Sequence, residues 1–232
     1  MDRENVAYIE VGGRSIAYRL RQGHEPTLVF LPGYASDMEG TKALALDAFA
    51  QRRGLAMLRF DYSGTGSSEG RFEDGTLGAW LEESLAAIDQ LTSGPLILIG
   101  SSMGGWIALH LALLRPERMR ALAGIAAAPD FTDWGFADGA EAERQGLTTG
   151  FWQSGQQLLL LDKPIAIDCP VRLIHGEQDE EVPLDVAFRT MRALRSADVQ
   201  LSVLKGGGHR LSEPHQIDAI LRTVGELLEP AS

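Results

Sequence analysis

Short apolar runs alternate along this chain with stretches whose apolar positions recur at helical spacing. The runs at 27–31, 55–60, 96–101, 120–125, 171–175 and 199–204 have the length of strands, and within them 96–99 is continuously apolar, as in the central strand of a parallel sheet. Between them, the spacing predicts helices over 41–53, 76–92, 104–115, 184–194 and 217–228. In the second of these, Leu77, Trp80, Leu81, Ser84, Leu85, Ile88 and Leu91 share one face. Strands and helices in alternation imply right-handed crossovers and a parallel sheet. Ahead of them, 5–11 and 14–21 alternate apolar with polar residues around Gly12-Gly13, a two-residue hairpin signal, and predict an antiparallel edge. The expected class is α/β: a mostly parallel sheet with an N-terminal antiparallel hairpin and helices on both faces.

One interval breaks the rhythm. Between Pro129 and Pro170 no strand is predicted, yet the stretch holds Phe131, Trp134, Phe136, Phe151, Trp152 and four successive leucines at 158–161. A connection that long inside a compact domain is usually functional. It is expected to be a lid insertion at about 130–168 within a single domain spanning 1–232, with Trp134, Phe151 and Trp152 binding substrate. The competing use of these residues is to seal the insertion onto the domain.

Composition narrows the function more than the fold. With 44% hydrophobic and 23% charged residues the chain holds enough apolar mass for a sizeable core. The net charge of -11, with signs well mixed, argues against a nucleic-acid surface and offers no polybasic membrane patch. No apolar run approaches the roughly 18 residues of a membrane span, so stable membrane insertion is not expected. A single cysteine, Cys169, rules out an intramolecular disulfide and suits a role in packing. The polar start at Met1-Asp2-Arg3-Glu4-Asn5 predicts neither a secretory signal nor a basic transit peptide. The expected location is cytoplasmic, and the expected state a monomer or weak homo-oligomer.

The candidate chemistry lies where the central apolar run meets Gly100-Ser101-Ser102-Met103-Gly104. A strand, a Gly-x-Ser-x-Gly and a helix form a nucleophile elbow, in which a sharp turn lifts the serine above the sheet and glycines flank it for lack of room. Ser102 is the candidate nucleophile. A serine hydroxyl needs a base, usually a histidine oriented by a carboxylate. Of His24, His110, His175, His209 and His215, His209 is the candidate base because it follows the last strand behind a run of glycines, at the sheet edge where such folds place ligands, with His215, six residues further, as its rival. Asp179 is the candidate acid because its loop directly follows a strand. Glu177, Glu180, Glu181 and, one strand earlier, Asp130 compete with it. Two backbone N–H groups are needed for an oxyanion, and Met103 and Tyr34 are the expected donors. The Asp61 to Gly70 stretch fails as a nucleotide loop, since Glu69 stands where a third glycine belongs, and is expected to shape the pocket rim. His175, Glu177 and Asp179 lack a second histidine at ligand spacing, so no metal is expected. A silent binding protein on the same fold and an oxidoreductase are the rival classes. The intact Ser102, Asp179 and His209 set argues against the first and the failed glycine fingerprint against the second.

Phe30-Leu31-Pro32-Gly33-Tyr34, Gly40-Thr41-Lys42-Ala43-Leu44-Ala45, Arg59-Phe60-Asp61-Tyr62-Ser63-Gly64, the elbow through Trp106, Arg172-Leu173-Ile174-His175-Gly176 and His209-Arg210 together carry a resemblance. The chain resembles the α/β-hydrolase fold and, within it, the subgroup of palmitoyl-protein thioesterases also described as acyl-glucuronide esterases. Many relatives have His-Gly where this chain has Pro32-Gly33, and the subgroup shares the proline. The resemblance implies Ser102 as nucleophile, Asp179 as acid and His209 as base. It further implies hydrolysis of acyl esters or thioesters, on a small molecule or an S-acylated protein, without a cofactor.

Overall fold

Residues 6–229 are described by a computed structural model. The apolar runs form β1 (Ala7–Val11), β2 (Arg14–Arg21), β3 (His24–Leu31), β4 (Leu55–Phe60), β5 (Leu96–Ser101), β6 (Met119–Ile125), β7 (Val171–Gly176) and β8 (Val199–Leu204). They lie in one sheet in the order β1-β2-β4-β3-β5-β6-β7-β8. The β1–β2 and β2–β4 pairs are antiparallel and all others parallel. Gly12 and Gly13 turn the hairpin with φ of +57° and +78°, the left-handed pair that a two-residue turn of matching twist requires. Residue 5, at the start of the first expected strand, lies outside the described residues.

The helices are α1 (Thr41–Arg53), α2 (Leu77–Leu91), α3 (Met103–Leu114), α4 (Phe131–Trp134), α5 (Gly139–Arg144), α6 (Thr149–Gln156), α7 (Leu184–Ala193) and α8 (Pro214–Glu226). Two ends differ instructively from the periodicity. α8 starts three residues before the predicted 217 because Glu213 and Gln216 form a reciprocal capping box and Pro214 occupies the first turn, where no backbone donor is needed. β3 starts three residues before 27 because the His24 N–H reaches the Gly54 carbonyl at 2.8 Å, extending the ladder past the last apolar residue.

Alternation along the strands sends side chains to two cores. Val29, Leu31, Leu58, Phe60, Leu96 and Leu98 face α2, α3 and the insertion, whereas Leu28, Phe30, Met57, Ile97 and Ile99 face α1 and α8. Burying a side chain of this size contributes about 1.5–3 kcal/mol, so both cores hold the sheet rigid beneath its loops. The insertion folds as α4, α5 and α6 and is fastened at its far end. Asp130 accepts the N–H of Leu160 and of Leu161, and the Leu158 carbonyl receives Trp106 Nε1 at 3.0 Å and lies 2.9 Å from His110 Nε2. Because β3, β5, β6, β7 and β8 run parallel, the loops after them gather at one edge.

Candidate active site

Ser102 stands between β5 and α3 with φ 53° and ψ −121°. Such a backbone costs a residue with a side chain about 1–3 kcal/mol and persists only where its surroundings impose it. Here the Ser102 N–H donates to the Ile125 carbonyl at 2.9 Å, and the Ser102 carbonyl accepts from Ala128 at 3.1 Å, so the end of β6 and the loop after it hold the turn on both sides. The flanking glycines are required by space. A Cβ on Gly100 would stand 2.3 Å from the Gly104 carbonyl oxygen, and one on Gly104 would stand 2.1 Å from that of Leu31.

His209 arrives from the loop after β8, and its Nε2 lies 3.0 Å from Ser102 Oγ. Its Nδ1 lies 2.9 Å from Asp179 Oδ2. An ionised carboxylate only accepts, so Nδ1 carries a proton toward Asp179 and Nε2 is free to take the serine's. The base and acid loops are stitched together: Gln178 donates to the Gly207 carbonyl, Glu177 to that of Leu204, and Gly206 to the Glu177 carboxylate. Asp179 Oδ1 also accepts from Glu181 at 3.0 Å and Val182 at 2.8 Å. Burial works to raise the Asp179 pKa. It is outweighed by the His209 and Val182 hydrogen bonds and the His209 and His175 charges, and the carboxyl is held below its ordinary range.

Met103 opens α3, so its N–H has no partner within the helix. The loop after β3 passes so close that a Cβ on Gly33 would be 3.3 Å from the Ser102 Cβ, and the next residue, Tyr34, lines the cleft over Ser102. A cleft of about 560 Å³ opens over Ser102 and His209. Its walls include Tyr34, Ser36, Lys42, Glu181, Arg210 and Ser212. Lys42 donates to the Arg210 carbonyl, and burial together with the Arg210 charge lowers its pKa. Sequence reasoning passed over Lys42 and Arg210, although both stand in the stretches that carried the resemblance. A lysine in the first turn of a helix reads as a solvated charge until the loop after β8 is folded against it.

The other candidates are placed elsewhere. Asp130 is buried and spends its carboxylate on the backbone of 160 and 161, while burial raises its pKa. Glu177 braces the base loop, Glu180 is exposed, and Glu181 Oε2 lies 3.7 Å from His209 Nε2 on an exposed side chain. The 61–70 stretch lines no part of the cleft. Its carboxylate at Asp61 accepts from Ser67 within the turn and from Met38 in the loop after β3, and Ser68 and Glu69 tie the turn to β2, so it braces the loop that lines the cleft without lining it itself. Trp134, Phe151 and Trp152 are also absent from the cleft wall. Phe151 is buried in an aromatic cluster, edge-on to Tyr34 with ring centroids 5.1 Å apart and to Trp80 at 5.4 Å. Trp152 packs on Gly139, and Trp134 sits with Phe131 and Leu161 against Ala128, Val182 and Val186, beside the acid loop. Among the described residues no group of three His, Cys, Asp or Glu side chains is arranged to hold a metal ion.

A sheet of this order with a serine at such an elbow defines a class, and the sequence agrees. The chain belongs to the α/β-hydrolase fold family, whose model matches residues 26–149. It is 37% identical over 238 residues to palmitoyl-protein thioesterase ABHD10, mitochondrial, of Homo sapiens, covering 94% of this chain and 78% of that one. Among solved structures it is similar to alpha/beta hydrolase domain-containing protein 10 from mouse, with a TM-score of 0.91, 34% identity and coverage of 97% and 98% of the two chains. It is also similar to a putative hydrolase from Agrobacterium vitis S4, with a TM-score of 0.90, 35% identity and coverage of 97% and 98%.

Proposed function

We propose that this chain is a serine hydrolase that cleaves acyl thioesters and carboxylic esters through an acyl-enzyme intermediate, with Ser102 as nucleophile, His209 as base and Asp179 as its orienting carboxylate. The observation that carries the reading is the hydrogen-bonded line from Ser102 Oγ to His209 Nε2 at 3.0 Å and from His209 Nδ1 to Asp179 at 2.9 Å. His209 takes the hydroxyl proton as Oγ attacks the carbonyl carbon. The oxyanion is received by the Met103 and Tyr34 N–H groups, fixed dipoles that need no reorganisation as charge develops. The tetrahedral species collapses, the carbon–sulfur or carbon–oxygen bond breaks, and His209 returns the proton to the leaving thiol or alcohol. Water deprotonated by the same imidazole then hydrolyses the acyl-enzyme.

The relatives named as palmitoyl-protein thioesterases support an S-acylated protein or small acyl compound as substrate. None of the three aromatics expected at the acyl site lines the cleft over Ser102, but Trp134 packs beside the acid loop, and we propose that an acyl chain extending past that loop meets it. Kinetics on S-acyl peptides, aryl esters and acyl glucuronides, each with the Ser102→Ala variant alongside, test the assignment. Turnover of at least one class is expected, with the variant slower by several powers of ten. Equal turnover by the variant would overturn it. In the hydrolysed class, each added methylene contributes about 0.8 kcal/mol, raising kcat/KM roughly threefold to fourfold until the site is full, and Trp134→Ala flattens that slope. A flat profile in the unaltered protein contradicts acyl reading by the insertion.

No helix among the described residues is long and apolar enough to cross a membrane. A cytoplasmic location is our reading, and cell fractionation tests it against the mitochondrial location in the relatives' names.

A further inference from the structure

His175 is the penultimate residue of β7, its side chain is 1% exposed, and the proposed chemistry makes no use of it. As a strand residue it needs only to fill space. Its polar atoms do more than that. Nε2 lies 2.9 Å from the Val182 carbonyl oxygen and 3.4 Å from Asp179 Oδ2, the same oxygen that receives His209. A carbonyl only accepts, so Nε2 bears a proton and donates it to Val182, with the aspartate oxygen alongside.

That bond closes a small circuit. Val182 is held through its carbonyl by His175 and through its N–H by Asp179 Oδ1 at 2.8 Å, while its side chain is buried against Ala128 and Val186. The loop from Gly176 to Val182 is thereby anchored at its far end to the rigid end of β7, from which it also starts. Asp179, in the middle, has its Oδ1 taken by the backbone of its own loop, and its Oδ2 is shared between His209 at 2.9 Å and His175 at 3.4 Å.

We propose that His175 is a positioning residue for Asp179, fixing through Val182 and the shared Oδ2 the direction in which the carboxylate meets His209. It touches neither Ser102 nor the reacting carbonyl. The inference rests on the serine-hydrolase reading given above. It predicts that a donor at the imidazole Nε2 position matters, and that ring volume alone does not suffice. Phe keeps the volume without a donor, Asn has a donor that falls short of Val182, and Gln carries an amide N–H at about the reach of Nε2.

The experiment compares His175→Phe, His175→Asn and His175→Gln on a short aryl ester, with thermal melts to establish folding and proton NMR of the low-field signal from the His209 Nδ1 proton. In the Phe and Asn variants kcat is expected to fall, by up to about 10²-fold for a displacement on the ångström scale, at nearly unchanged KM, with the low-field signal shifted or lost. Gln is expected to restore most of the rate and the signal. Should the Phe variant not fold, the Asn and Gln pair decides the matter. Unchanged kcat and signal in the folded variants would overturn the proposal, as would an equal loss in all three, which reports packing alone. Failure of the underlying reading has a different signature: unaltered protein that turns over no faster than Ser102→Ala.

Discussion

Asp179 suits His209 better than the carboxylates around it because its oxygens are already divided, Oδ1 to the backbone of its own loop and Oδ2 to the imidazole. Replacing it with asparagine keeps the shape but favours the wrong imidazole tautomer, a change worth about 10⁴ in turnover in serine proteases. Asp179→Asn should lose activity on that order in steady-state assays, and Asp130→Asn should stay close to the unaltered rate; the reverse pattern would reassign the acid. The depressed pKa also has a sign for stability. A carboxyl whose folded pKa lies below its unfolded value of about 3.9 stabilises fully above that value and loses its contribution as pH falls through the folded one. Urea unfolding of Asp179→Asn should therefore show a shallower loss of stability below about pH 4. At Cys169, burial pushes the thiol up to about 11, so thiolate is scarce at neutral pH and iodoacetamide should leave the folded protein unlabelled and active; rapid labelling would contradict this. The positions of Ser102 and His209 were legible in the sequence because glycines mark both, Gly100 and Gly104 for lack of space at the elbow and Gly206 for a left-handed turn, with φ of +68°, ahead of His209. Asp179 was only half legible, since four carboxylates crowd 177–181 and the choice among them depends on a loop 30 residues further along.

The insertion was legible as an interruption, and its three short helices were not. α4, α5 and α6 are four, six and eight residues long, too short for periodicity to declare itself, and two are set by side-chain caps at Asp138 and Thr148. Aromatic content pointed to a substrate surface, whereas the fold turns Phe151 inward against Tyr34 and Trp80, joining it and the insertion's Phe131 to the domain's core. What holds its far end is Asp130. Asp130→Ala orphans the buried Leu160 donor, at about 1–3 kcal/mol, and the half-buried Leu161 donor at less, so chemical denaturation should show a loss of at least about 1 kcal/mol and hydrogen exchange should quicken at those two amides first. Unchanged exchange there would mean that the Trp106 and His110 contacts to Leu158 suffice. Helix and strand ends missed by the periodicity, at Pro214 and His24, were decided by a capping box and by a single long-range backbone bond.

Across the whole molecule, three residues at 102, 179 and 209 meet because parallel strands deliver the loops that follow them to one edge. The alternation of apolar runs with helices was enough to infer that edge and the class of fold. It was not enough to order the strands, since nothing in the runs themselves says that β4 lies between β2 and β3 or that β5 lies beyond. The same assembly builds a polar cleft from α1 and the loop after β8, elements 168 residues apart at the Lys42 to Arg210 contact, and so out of reach of any local pattern. This convergence is expected to activate Ser102 alone. Labelling with a fluorophosphonate, followed by peptide mass spectrometry, measures that directly. One adduct on Ser102 is expected, absent from Ser102→Ala and slowed in Asp179→Asn; unmodified Ser102 in the unaltered protein, or an adduct carried by another residue, would contradict it.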